Sequence, residues 1–194
     1  MTDSRHTKPS DAGVLDAARL FRDHAEFVAN FAVRLGVRRE EVDDVVQEVF
    51  LVAHRRGGFV PGPARPTTWL AEITLRIVQS GRRKLRRSRE EADDDAIAAA
   101  QARKGSSPGE QVEASEALQR VQQALDTLDE GKRAVFILFE LEGESCESIA
   151  AGLGIPVGTV YSRLHKARKQ FMEAHARLVE SPARPVGRSQ TVTS

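Results

Sequence analysis

Ser162, His165, Lys166 and Lys169 recur at a spacing that places them on one side of a helix, at about 100° per residue. The opposite side is a stripe of Val160, Leu164, Ala167 and Phe171. Thr159, Arg163 and Arg168 flank the polar side, and Gly158 lets the backbone approach a phosphate closely. Short hydroxyls near a helix start and cations along it suit contacts to base edges and phosphates, which favours recognition of duplex DNA over the other reading, a solvated amphipathic helix in a bundle. A second basic block, Arg82, Arg83, Lys84, Arg86, Arg87 and Arg89, is dense enough to neutralise phosphates. It is equally suited to a solubilising helix end that favours the C-terminal dipole. Trp69 lies at helical spacing with Leu70 and Ile73 and reads as core, whereas Phe59, in a loop, has less reason to be buried and is available as a stacking or wedge residue. Bond-breaking chemistry has no comparable set. The five histidines show no ligand spacing, Cys146 is the single cysteine, and no glycine-rich phosphate loop follows a strand. No metal, no cofactor and no enzyme activity are expected.

These groups need helices to position them, and helical periodicity dominates the chain. Phe21, Ala25, Val28, Ala32 and Leu35 mark a first helix, with Gly36 as its C-cap. A second carries Val42, Val45, Val46, Val49, Phe50 and Ala53 on one face, with Glu40, Glu41, Asp43 and Asp44 favouring its N-terminus and Gly57-Gly58 ending it. Residues 57–66 form an irregular loop rich in glycine and proline. Thr67 or Thr68 then caps a third helix carrying Trp69, Leu70, Ile73 and Ile77. Residues 88–112 read as a flexible acidic linker, ending in the Gly105-Ser106-Ser107-Pro108-Gly109 breaker. Helical pattern resumes with Leu118, Val121, Leu125 and Leu128, then Val135, Phe136, Leu138 and Phe139. A short Ser145–Leu153 helix, a Gly154-Ile155-Pro156 corner and a last helix to about Val179 have the spacing of a helix-turn-helix. The predicted fold is all-α: two small helical domains, an N-terminal bundle (14–87) and a C-terminal helix-turn-helix (113–179), joined by the linker 88–112 and followed by a disordered tail, 180–194.

Charge supports a polyanionic partner. The net charge of +1 conceals segregation into +6 over residues 1–89, −8 over 90–131 and +3 over 132–194. With 40% apolar and 29% charged residues, the composition is that of a soluble globular protein. No apolar run is long enough to span a membrane and no signal segment is visible, so a cytoplasmic location is expected.

Three segments in order carry a resemblance to a known family. Asp44-Val45-Val46-Gln47-Glu48-Val49-Phe50-Leu51 resembles the polymerase-binding motif of bacterial RNA polymerase sigma factors of the extracytoplasmic-function (ECF) type. Thr68-Trp69-Leu70 with Ile73 resembles the start of their promoter-melting helix. Gly152 to Val160 with Ser162 to Arg168 resembles their second DNA-binding helix. The resemblance covers about residues 15–87 and 115–175. It implies a factor that binds core RNA polymerase (clamp and flap) and promoter DNA, reading the −35 element as duplex and the −10 element as melted strand. It also implies an anti-sigma factor that restrains the protein until a stress signal, and a monomer when free. The implied −35 contacts are Thr159, Tyr161, Ser162, Arg163, His165, Lys166, Arg168 and Lys169. Those for the −10 strand are Phe59, Arg65, Thr67, Thr68, Arg76, Arg82, Arg83 and Arg86. Core polymerase would meet Asp43, Asp44, Gln47, Glu48, Phe50 and Leu51, an acidic face that DNA would repel and a basic protein helix would accept. Departures from the family pattern fall at Pro66, Arg76, Ser80, Glu144 and Cys146. A stand-alone helix-turn-helix regulator would account for the C-terminal half alone, and a nucleic-acid-modifying enzyme lacks an active site.

Overall fold

The computed structural model describes residues 13–92 and 111–180. The tail beyond Glu180, the acids Asp93, Asp94 and Asp95 and the Gly105–Gly109 breaker lie outside the described residues. Among the described residues seven α-helices follow one another: α1 (Ala17–Arg34), α2 (Val42–Arg55), α3 (Pro66–Ala92), α4 (Gln111–Asp126), α5 (Glu130–Phe136), α6 (Cys146–Leu153) and α7 (Val157–Glu180). Among the described residues the one β-type pairing is between Leu15 and Phe59.

Helices α1 to α3 pack around Leu20, Val28, Val49, Phe50, Ala53, Phe59, Leu70 and Ile73. Asp16 starts α1 by accepting the Arg19 amide at 2.7 Å. The apolar stripe of α1 is rotated from its expected position. Leu20 and Phe31 are buried with Val28, Ala32 and Leu35, while Phe21 is 49% exposed. Phe59 also departs from expectation, being 4% exposed. Its backbone exchanges hydrogen bonds with Leu15 at 2.8 and 2.9 Å, which draws the ring inward against Trp69. Gly58 makes that pairing possible: its φ is +89°, and a Cβ there would lie 2.4 Å from the Leu15 carbonyl oxygen.

Neither Thr67 nor Thr68 is the N-cap of α3, because the helix begins earlier, at Pro66. A proline at the first helical position lacks only an amide that would have no intrahelical partner anyway. Thr68 instead reaches back, its hydroxyl accepting the Arg65 amide at 3.0 Å. Both helices bordering the expected linker extend into it, α3 to Ala92 and α4 from Gln111.

Helices α4 to α7 enclose Leu125, Leu128, Val135, Phe136, Ile137, Leu138, Ile149, Val160, Leu164 and Ala167. Leu118, counted above as part of that pattern, is 71% exposed. Asp129 caps α5 by accepting the Lys132 amide at 2.9 Å, and Ser145 caps α6 by accepting the Ser148 amide at 3.1 Å. After α5 the chain widens into a π turn, Ile137–Leu141, before Gly143 turns it towards α6. The C-terminal core is continuous with Phe31 of α1, its C-cap Leu35, and Ala71 and Val78 of α3. The two helical units therefore meet along a packed seam.

Candidate functional site

The corner between α6 and α7 follows from local chemistry. Gly154 adopts the left-handed conformation (φ 65°, ψ 38°) that lets the Ile155 amide reach back to the Ala150 carbonyl at 3.0 Å. Pro156 cannot continue α6, and its carbonyl accepts the Thr159 amide at 2.8 Å to open α7. Val160, Leu164 and Ala167 are buried, and Phe171 stacks on Phe136 at 4.7 Å. The opposite face leaves Gly158, Tyr161, Ser162, His165, Lys166 and Lys169 exposed. Thr159 is half-buried beside them. Two of the expected duplex contacts have partners within the protein: Arg163 lies against Gly131 at the start of α5, and Arg168 pairs with Glu140 over the Phe139 ring.

Tyr161 donates to Glu147 at 3.3 Å, and the Glu147 charge holds its phenol above the ordinary value. Cys146 is buried; burial and the charge of Glu147 push its thiol up from the ordinary value.

A second surface lies on α2. Phe21, Asp43, Asp44, Val46, Gln47, Phe50 and Leu51 line an open cleft of about 620 Å³. Five of these were identified from the sequence motif. Phe21 was not, since its helical spacing made it a core candidate. It stands edge-on to Phe50 at 5.0 Å, so the two rings form the apolar wall beneath the carboxylates. Glu48 is exposed on the same helix. The partial exposure of Phe21 and Leu51 beside two acids fits an apolar-and-basic protein surface.

The third surface surrounds the start of α3. Arg56, Gly58, Phe59, Val60, Gly62, Pro63, Ala64 and Trp69 line a cavity of about 390 Å³, with Ala151 of α6 at its edge. The Arg56 guanidinium lies 5.9 Å from the Trp69 ring centroid and pairs with the buried carboxylate of Glu72 at 2.9 Å. Arg76 pairs with the same carboxylate from the other side. Phe59 contributes a wall of this cavity rather than a free side chain.

Several residues assigned to this surface are engaged across the seam. Thr67 donates to the Glu144 carboxylate, Arg65 approaches its other oxygen at 3.6 Å, and Thr68 lies 3.3 Å from the Ser148 hydroxyl. Arg82 donates to Glu130 at 2.7 Å and to the Leu35 carbonyl at 2.6 Å. Arg133, buried, donates to that same carbonyl and to Asp126, each at 3.0 Å. Arg34 pairs with Glu142. Arg83 is exposed. Glu144, Ser148 and Gly152 were not singled out from sequence as site residues. The available signal was a charged residue, Glu144, at one of the departures from the family pattern.

Among the described residues, no group of His, Cys, Asp and Glu could hold a metal ion, and no helix is long and apolar enough to cross a membrane.

An all-α chain with a helix-turn-helix, an exposed basic face on α7 and a separate acidic cleft on α2 places the protein in the helix-turn-helix class. Comparison with known proteins specifies the class. Residues 20–88 match the model for sigma-70 region 2, and residues 118–171 match that for sigma-70 region 4. The chain is 33% identical over 190 residues to the ECF RNA polymerase sigma factor SigE of Mycolicibacterium smegmatis, covering 89% of this chain and 72% of that protein. It is 36% identical over 140 residues to the ECF RNA polymerase sigma-E factor of Escherichia coli, covering 66% of this chain and 71% of that one. The fold is similar to the sigma factor RpoE solved in complex with the anti-sigma factor NepR from Bartonella quintana. That match has a TM-score of 0.62 and 27% identity, covering 81% of this chain and 94% of that one. The chain belongs to the ECF RNA polymerase sigma factors of the sigma-70 family. It is a transcription initiation factor and not an enzyme.

Proposed function

We propose that this factor docks on core RNA polymerase through the α2 cleft, reads the −35 element as duplex through α7, and holds the melted −10 strand at the loop and N-terminal half of α3. The observation that carries the reading is the separation of two unlike surfaces on one short chain. The α2 cleft joins Phe21, Phe50 and Leu51 to Asp43, Asp44, Gln47 and Glu48, which suits a protein and repels DNA. The exposed face of α7 joins Ser162, His165, Lys166 and Lys169, which suits a major groove. Unstacking a −10 base costs a few kcal/mol, which a pocket must offset. The cavity beside Trp69, with the Arg56 cation at its rim, is the candidate for that pocket.

In this reading the protein acts in the cytoplasm, is monomeric when free, needs no cofactor and does not insert in the membrane. An anti-sigma factor holds it inactive until a stress signal, by analogy with the partner in the Bartonella complex. The test is co-purification with core polymerase followed by factor-dependent transcription from a genomic library. A factor that binds DNA alone and fails to associate with core enzyme would refute it.

A further inference from the structure

We propose that the N-terminus of α3 is a phosphate-binding site for the promoter strand, and that Glu144 occupies it as an intramolecular competitor whenever the two helical units are closed. The proposal rests on the reading of α3 as the −10 contact and adds the ligand atom and its rival.

The start of a long helix favours anions, because its first amides lack intrahelical partners and the helix dipole is positive there. Arg65 and Thr67 add a guanidinium and a hydroxyl at the same point, the donor set that grips a phosphodiester oxygen. The second observation is what lies on them. Glu144, from the other unit, has a side chain only 3% exposed, with one oxygen accepting from Thr67 and the other facing Arg65. That second oxygen has no hydrogen-bond partner. A carboxylate buried with incomplete hydrogen bonding is held less well there than a solvated one. A phosphodiester, which brings its charge without requiring its own burial, is a natural replacement.

One position in the seam has no room for a side chain. Gly152 of α6 packs so tightly on α3 that a Cβ there would lie 2.4 Å from the Thr68 Cβ and 2.7 Å from its carbonyl carbon. Gly152 is helical, so alanine suits α6 itself, and its nearest contacts would be with Thr68 of α3. Separating the units frees Thr67, Thr68, Arg65 and the Ala151 side of the cavity together.

The experiment uses the full chain as parent, Gly152→Ala, Glu144→Gln, and each combined with Arg65→Ala. The probe is a fluorescently labelled single-stranded oligonucleotide, titrated at low salt. Gly152→Ala should enlarge the radius of gyration in solution scattering, and both single variants should bind the probe roughly three- to tenfold more tightly, as expected from releasing one partly exposed charged contact. Arg65→Ala should abolish that gain. If neither variant binds more tightly while Arg65→Ala still weakens the parent, Glu144 is no competitor and the strand contact stands. If Arg65→Ala has no effect in any background, the strand contact at α3 fails and the proposal fails with it. A gain that survives Arg65→Ala would place the uncovered site elsewhere and overturn the phosphate assignment.

Discussion

Ser162 and Lys166 sit on the exposed face of α7, and the Ser162 hydroxyl is occupied only by a 3.0 Å bond to the Thr159 carbonyl of its own helix. Truncating either to alanine opens no cavity. In transcription with reconstituted holoenzyme, each variant should lose about 1–3 kcal/mol of discrimination at one or two −35 positions while −10 preference stays fixed. Loss of core binding instead would remove α7 from its role. Asp129 offers a different kind of test. Burial alone would raise its carboxyl, but hydrogen bonds from Lys132 and the charges of Lys132 and Arg163 carry it below the ordinary value. A carboxylate lowered on folding contributes stability at neutral pH, and that contribution is lost as pH falls through its lowered pKa. Asp129→Ala should therefore cost about 1 kcal/mol in urea unfolding at pH 7, the usual worth of an N-cap. The gap between variant and parent should narrow in acid; a constant gap would leave the charge of Asp129 without a part.

At the scale of elements, the α2 cleft depends on a residue contributed by α1. Phe21→Ala removes the ring that backs Phe50 while leaving the buried positions Leu20, Val28 and Phe31 intact. It should weaken binding to core polymerase by about tenfold or more, as loss of an aromatic anchor does, with little change in thermal stability. Gln47→Ala with Glu48→Ala should weaken the same binding and leave helicity unchanged; equal affinity in a titration against core enzyme would move the docking surface elsewhere. These elements also show what could be read without coordinates. Gly154 and Pro156 punctuate the corner between α6 and α7 by local backbone chemistry, so that motif and the buried stripe of α7 were legible. Phe21 was misassigned because an apolar residue looks the same whether it faces a core or a partner. Phe59 was misplaced because its burial is set by pairing with Leu15, 44 positions away in the chain. Contacts such as Thr68 with Ser148, separated by 80 positions, leave no periodic trace at all.

The whole molecule is joined at a point where α1 ends. The Leu35 carbonyl receives Arg82 from α3 and Arg133 from α5, so the last turn of α1 is completed by groups from both units. Burial pulls the Arg133 guanidinium below its ordinary value, and the nearby Asp126 opposes that shift. Arg133→Met should destabilise the full chain by about 2–3 kcal/mol in urea unfolding, less than for a fully buried pair because Asp126 is one-third exposed. An effect below about 0.5 kcal/mol would show that Arg82 alone suffices at this junction. Gly152 carries a consequence of another order. It fits against Thr68 only because it lacks a methyl group. Every glycine codon becomes an alanine codon by a single base change, so the restrained arrangement stands one point mutation from release. Populations selected for unrestrained expression of the factor's targets should accumulate that change ahead of substitutions in α2 or α7, which damage the surfaces the factor needs to work.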